Sequence, residues 1–218
     1  TDVVTNVPQD WADLLKPEYK GQIALAGDPR VSNQAIMAVY AAALANGGSL
    51  DDVQPGLDFF AELNASGNLI PVISKGATLA KGETPIVIAW DYNALAWQQG
   101  FEGNPATQVV VPQPGIIGGV YIQAISAYAP QPNAAKLWQE FRYSDEGQLI
   151  WLKGFCHPIR YNDLAVRNVI PQEMADALPP ADLYAKAVFP TLDQLAAAKE
   201  VITTQWDAVV GADVKAAP

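Results

Sequence analysis

The chain has 218 residues and a mass of 23.3 kDa, with 50% hydrophobic and 17% charged residues. That length holds a substantial core, and the composition excludes a disordered or collagen-like chain. Lys and Arg number 13 against 23 Asp and Glu, so a net charge of −10 and a pI near 4.4 argue against nucleic acid or an anionic membrane surface as partner.

Residues 1–8 are polar and β-branched and read as a linker or an edge strand. Trp11, Leu14 and Leu15 stand at helical spacing, and Pro17 stops that short helix. Lys20-Gly21 is a turn and Gln22 to Ala26 a short buried strand. After the turn at Asp28-Pro29-Arg30, Ser32 or Asn33 caps a helix reaching about Ala45, with Ile36, Val39, Tyr40, Ala43 and Leu44 on its apolar positions. Gly47-Gly48 closes it. A second helix starts near Asp51 or Asp52, carries Leu57, Phe60 and Leu63, and ends at Gly67-Asn68.

Leu69 to Ser74 reads as a strand and Thr78 to Lys81 as a helical turn. Pro85 to Trp90 is the clearest buried strand, running directly into a short helix, DYNALAWQQG. Gln108 to Pro112 and Gly119 to Ser126 read as further strands. Helices follow at Asn133 to Tyr143, from Ser144 to Gly154, and at Pro171 to Leu178. FCHPIRYND reads as an irregular turn between them, and Thr191 to Val210 as a long final helix. Strands separated by helices predict an α/β fold, and a change of character near 112–119 predicts two lobes.

A single Cys excludes an intramolecular disulfide. One His beside one Cys argues against a structural zinc site, and neither a cofactor nor a metal is expected. The most apolar run, Ile116 to Ala129, is too short for a membrane span and carries polar residues. The opening TDVVTNVPQDW has neither a basic nor an apolar leader region, which fits a chain whose signal peptide has been removed or a fragment. Neither GxxxxGK[ST] nor GxGxxG occurs, so nucleotide chemistry has no support.

Three segments together resemble type 2 periplasmic solute-binding proteins, the receptors of ABC importers, in the branch of polyamine, iron and thiamine receptors. WADLLKPEYKGQIALAGDPR resembles the opening of their second lobe, GETPIVIAWDYNAL their strand leading to the pocket, and GGVYIQAISAYAPQPNAAKLWQEFRYSDEGQ their return crossover and following helix. The resemblance implies an α/β fold made of the second lobe plus the C-terminal part of the first, most of the first lobe being absent. Residues 1–114 would be the second-lobe segment and 115–190 the returning first-lobe segment. The lobe to which 191–218 belong stays open. It further implies a periplasmic or extracytoplasmic protein that captures a small polar solute between lobes and presents it to a membrane permease. Without most of its first lobe, the chain is expected to expose cleft surface and to self-associate through it.

Such a site needs a few directed polar groups and an aromatic wall rather than a nucleophile. Ser32 and Asn33, in Ser32-Asn33-Gln34, stand at a helix start, where free N–H groups suit a carboxylate or phosphate. Ordinary N-capping explains the same residues. Trp90, Asp91, Tyr92 and Asn93 follow the best strand, beyond whose carboxyl end ligands of α/β sheets bind. A core role for the two aromatics and a capping role for Asp91 are the alternative. Tyr121 and Gln123 share one face of the crossover strand by the two-residue period, either towards a cleft or as a plain half-buried strand.

The resemblance also bears on the solute. Asn93 and Gln123 stand where polyamine receptors carry acids, so an amino-acid-like or neutral polar solute fits at least as well as a diamine. Paired iron-binding tyrosines are not supported, since no Tyr-Tyr dipeptide occurs. His157 and Arg160, in FCHPIRYND, are candidates to reach a ligand carboxylate. Two other functions compete: a ligand-sensing effector domain on the same fold, and an α/β hydrolase using Cys156 and His157. The second lacks another His to act as base.

Overall fold

A computed structural model describes residues 3–216. It divides into two units: unit 1 is Thr1–Gly119 with Asp182–Pro218, and unit 2 is Val120–Ala181. The chain therefore leaves unit 1 once and returns to complete it.

Unit 1 opens with two 3-10 turns, Ala12–Leu15 and Pro17–Tyr19, which bury Trp11, Leu14 and Tyr19. Strand β1 (Ile23–Leu25) is fully buried, as a central parallel strand must be. Helix α1 (Asn33–Ala45) follows, and every residue from Ala35 to Ala43 is buried. Its alanines let α2 (Gln54–Ala65) come close. A Cβ added to Gly56 would lie 2.1 Å from the Val39 carbonyl oxygen of α1. Gly47 ends α1 in the left-handed region at φ 88°, a conformation glycine adopts without a Cβ clash.

Strand β2 (Val72–Ile73) and the short α3 (Gly76–Ala80) lead to β3 (Ile86–Ile88) and α4 (Asp91–Gly100). Strands β1 and β3 pair in parallel, with Ile23 opposite Ile86 and Leu25 opposite Ile88. On its other side β1 meets the 68–74 segment: Ile70 N–H donates to Ile23 O at 2.7 Å and Ser74 N–H to Leu25 O at 2.8 Å. The buried hydroxyls of Ser74, Thr78 and Thr84 satisfy one another at 2.7–3.1 Å.

Unit 2 holds α5 (Pro132–Tyr143), α6 (Asp145–Lys153), α7 (Tyr161–Val166) and α8 (Gln172–Asp176). The Ser144 hydroxyl caps α6 by accepting the Gly147 N–H at 3.1 Å. Leu152, Phe155 and Leu164 form its small core. An ion network closes the surface beside them. Arg167 grips Asp145 with two nitrogens at 2.6 and 2.7 Å and reaches Asp163 at 2.9 Å. Arg160 also pairs with Asp163, and with Asp145 at 3.2 Å.

The chain re-enters unit 1 within α9 (Ala181–Tyr184). Helix α10 (Leu192–Val209) starts at a capping box: Thr191 accepts the Gln194 N–H at 3.2 Å and Gln194 accepts the Thr191 N–H at 3.0 Å. It buries Ala198, Ile202 and Trp206 against the core. Phe60 lies between Phe59 and Trp206, with ring centroids 5.5 and 5.7 Å away. A final strand, β4 (Lys215–Ala216), pairs in parallel with β2.

The predicted helices are all present, with boundaries shifted by a few residues, and the predicted FCHPIRYND turn runs into α7 at Tyr161. Two predicted strands are not. Gln108–Pro112 and Gly119–Ser126 pair with no strand among the described residues. Both have β-branched residues, but strand propensity needs a neighbour to become a strand, and Pro112 lacks the N–H for a ladder. Of the predicted linker or edge strand at 1–8, residues 1 and 2 lie outside the described residues, and residues 3–8 form no strand.

Candidate functional site

The carboxyl ends of β1 and β3 lie side by side, and each leads to the start of a helix. The β1 end turns through Asp28-Pro29-Arg30 into α1, and the β3 end turns at Trp90 into α4. This places Ser32, Asn33, Trp90, Asp91, Tyr92 and Asn93 at two neighbouring helix starts. Six predicted residues thus meet at one edge of unit 1.

Gln34 ties these starts together. Its amide Nε2 donates to Ala26 O, just past β1, at 2.8 Å. Its Oε1 accepts the Trp90 N–H at 2.8 Å and the Asn93 Nδ2–H at 2.9 Å. Nothing in the sequence pattern singles out Gln34 beyond its place in the first turn of a helix that follows a strand.

Ser32 occupies the N-cap position of α1, but its side chain makes no capping hydrogen bond. Its backbone N–H donates to Asp28 O at 2.7 Å. The hydroxyl lies over Gly27, where a Cβ would come within 2.2 Å of it. Glycine at 27 is therefore required by this close approach.

Trp90 is the N-cap residue of α4, and its ring lies over Gly119, where a Cβ would sit 2.8 Å from Cη2. Asp91 begins the helix rather than capping it. One carboxylate oxygen accepts the Tyr92 N–H at 2.8 Å and the other the Tyr184 hydroxyl at 2.9 Å. Tyr184, on α9, is a brace that local patterning does not reveal, since 93 residues separate it from Asp91.

The loop below α1 is fixed from the far end of the chain. Arg30 bonds both oxygens of Asp28 at 3.0 and 3.1 Å, Asp207 at 3.1 Å, Asp213 at 3.1 Å and the Val214 carbonyl at 3.2 Å. Hydrogen bonds to Asp28 and Asp213 raise the guanidinium pKa further above its ordinary range. Lys215 first and Arg30 second hold the Asp213 carboxyl below its usual value.

The remaining four predicted residues belong to unit 2. Tyr121 and Gln123 are exposed and lie on no strand, and the Gln123 carbonyl accepts the Gln139 amide at 3.0 Å. The two-residue period predicted for them therefore has no sheet face to act on. His157 is exposed and its ring lies 4.1 Å from that of Tyr161. The Arg160 guanidinium is engaged with the Tyr143 carbonyl, Asp163 and Asp145.

Among the described residues no group of three or more His, Cys, Asp or Glu side chains is placed to hold a metal ion. No helix among them is long and apolar enough to cross a membrane. The arrangement at the ends of β1 and β3 offers amide, hydroxyl and carboxylate groups beside an indole, which suits reversible binding of a small polar molecule.

A family model described as bacterial extracellular solute-binding protein matches residues 1–196. The fold is similar to the 1.85 Å crystal structure of an ABC transporter from Clostridium perfringens ATCC 13124, at TM-score 0.63 and 18% identity, covering 94% of this chain and 63% of that one. It is also similar to the structure of the periplasmic binding protein P5PA, at TM-score 0.64 and 19% identity, covering 95% of this chain and 62% of that one. The chain thus spans less than two thirds of either structure. No curated protein sequence matches it.

Proposed function

Because the chain belongs to the bacterial extracellular solute-binding family, we propose that it is the substrate-binding component of an ABC importer, acting outside the cytoplasm and holding its solute at the carboxyl ends of β1 and β3. The observation that carries this reading is the joining of the α1 and α4 starts by Gln34, which sets Trp90, Asp91 and Asn93 beside Ser32 and Asn33. In this reading unit 1 is the second lobe, with α10 included, and unit 2 is the returning part of the first.

The roles follow from the chemistry. The indole of Trp90 supplies an apolar or cation-binding wall. Asp91 accepts from an ammonium or hydroxyl, and a charged acceptor makes the stronger bond. Asn93 and Asn33 donate or accept as the solute requires, and the free N–H groups at the α1 start take its anionic end. An amino-acid-like zwitterion uses all of these at once, which ranks it above a polyamine or an anion alone. Delivery to a membrane permease follows from the importer role.

A thermal-shift screen of the chain against amino acids, polyamines, phosphonates, sugars and ferric salts tests the proposal. A ligand at a hundredfold excess over Kd stabilises the native state by about 2.7 kcal/mol. A shift with one polar class, abolished by Trp90→Ala, supports the assignment. A shift that survives Trp90→Ala and Asp91→Asn moves the site elsewhere.

A further inference from the structure

Unit 1 has a second concave place, apart from the ends of β1 and β3. A cavity of about 480 Å³ lies between α1 and the two segments by which the chain leaves and re-enters the unit. Leu44 comes from α1, Pro114 and Ile116 from the outgoing segment, and Val188 from the returning one. The volume falls in the range of pockets that bury a small organic molecule. Leu44 stands eleven residues beyond Asn33 on α1, about 16 Å at 1.5 Å per residue. The cavity is therefore separate from the proposed solute site.

Its walls are held by backbone. The Val188 N–H donates to Ile116 O at 3.1 Å, and the Gly118 N–H donates to Val188 O at 2.9 Å. Gly115, which also lines the cavity, is pressed against α1: a Cβ there would lie 2.6 Å from Ala41 O and 3.0 Å from Ala45 Cβ. Its φ of 98° is one that glycine adopts freely. The shape is thus set before any ligand arrives, as in most ligand pockets.

The lining chemistry selects an occupant. Apart from Lys186 and Gln113, its side chains are apolar. Among the described residues Lys186 makes no ion pair, and its Nζ donates to a neutral partner, Gln113 Oε1, at 2.8 Å. That bond leaves the other Lys186 N–H groups and the two Gln113 Nε2 donors for an acceptor between them. A carboxylate can give one oxygen to each, and its bond to the ammonium is the stronger, charge-assisted kind. The apolar walls take the rest of the molecule. An amine is repelled by Lys186, and a sugar would strand hydroxyls on those walls. We propose that this cavity binds a small carboxylic acid with an apolar body, and that the bound acid ties the outgoing segment to the returning one through Gln113 and Lys186.

Amide NMR of the isotope-labelled chain, titrated with sodium hexanoate, tests this, with hexylamine and hexanol as controls for charge. Hexanoate is expected to shift the Gly115, Ile116 and Val188 amides saturably, and hexylamine to leave them unmoved. Lys186→Met is expected to weaken hexanoate by about tenfold or more through loss of the charge-assisted bond, with hexanol unaffected, while Lys186→Arg retains binding. Lys186 is exposed, so both variants are expected to fold. No saturable shift at millimolar hexanoate overturns the proposal. So does an equal response to hexylamine, or an affinity that Lys186→Met leaves unchanged. Shifts confined to the Trp90 and Asn93 amides overturn it too, because the acid then occupies the solute site instead.

Discussion

Gln34 and Trp90 meet across the ends of two parallel strands: the side-chain oxygen of one accepts the backbone N–H of the other at 2.8 Å. The same amide donates to Ala26 O and accepts from Asn93. One side chain thus holds the start of α4 to the start of α1. Gln34→Ala leaves the Trp90 N–H and the Ala26 carbonyl without their partner, at a cost of roughly 1–3 kcal/mol. Urea denaturation reads this loss directly. Gln34→Glu keeps the acceptor but loses the donor to Ala26, so it is expected to be intermediate.

Asp91 is braced by Tyr184 and by the backbone of Tyr92. Asp91→Asn keeps the shape and one of the two accepting oxygens, turns the other position into a donor that the Tyr184 hydroxyl oxygen can accept, and removes the charge. Affinity for a solute carrying an ammonium is expected to fall by about tenfold or more, or about 1.4 kcal/mol. The melting temperature without ligand is expected to change little. Calorimetric titration with the ligand from the screen checks this, and an unchanged Kd would reduce Asp91 to a structural brace.

Trp90 and Gly119 are matched in shape. Gly119→Ala forces the indole from its present place, because a Cβ would lie 2.8 Å from Cη2. A change in solute affinity without a large loss of stability is expected. Trp90→Phe, which vacates that space, is expected to tolerate Gly119→Ala, and the double-mutant cycle measures the coupling.

The core of unit 1 depends on close approach of helices. Gly56→Ala places a Cβ 2.1 Å from the Val39 carbonyl, a backbone atom that cannot swing away. Overpacking of this kind costs about 1–3 kcal/mol or more. Phe60→Ala, at a fully buried ring, is expected to cost about 3–5 kcal/mol. Chemical denaturation followed by tryptophan fluorescence reads both.

Unit 2 has a predictable acid response. Arg167 first, then Arg160, hold the Asp163 carboxyl below its usual 3.8, and Arg167 does the same at Asp145. A carboxylate depressed on folding stabilises the native state above its unfolded pKa, and that stability is lost as pH falls through the depressed value. Arg167→Met is therefore expected to be less stable at neutral pH, with the gap to the parent closing below pH 3.8. These groups lie at the surface, where water and salt keep such pairs weak, so added salt is expected to narrow the same gap.

The helices were legible because their ends are written locally. The Thr191…Gln194 box and the Ser144 cap each sit within one turn of the residues they serve. The strands β1 and β3 were legible as apolar runs between turns. Gln108–Pro112 and Gly119–Ser126 were misread because Val109 to Val111 and Val120 to Ile122 carry the same signal with no partner strand to realise it. At the site, position after a strand pointed to Trp90 and Asp91. The contributions of Gln34 and Tyr184 depend on contacts 56 and 93 residues away along the chain, which local patterning does not contain.

Strand β2 completes its pairing only with β4, Val72 opposite Lys215, and Trp206 fills the centre of the same core. Unit 1 is thus built from two stretches separated along the chain. On a ribosome its first half emerges long before the last helix, with a delay on the order of ten seconds at ordinary synthesis rates. Unit 2 is made from one unbroken stretch. The edge of unit 1 proposed to bind solute, whose α1 loop Arg30 holds through Asp207 and Asp213, is therefore among the last features to set, and a nascent chain stalled before residue 206 would carry all six of its predicted contact residues without the scaffold that aligns them.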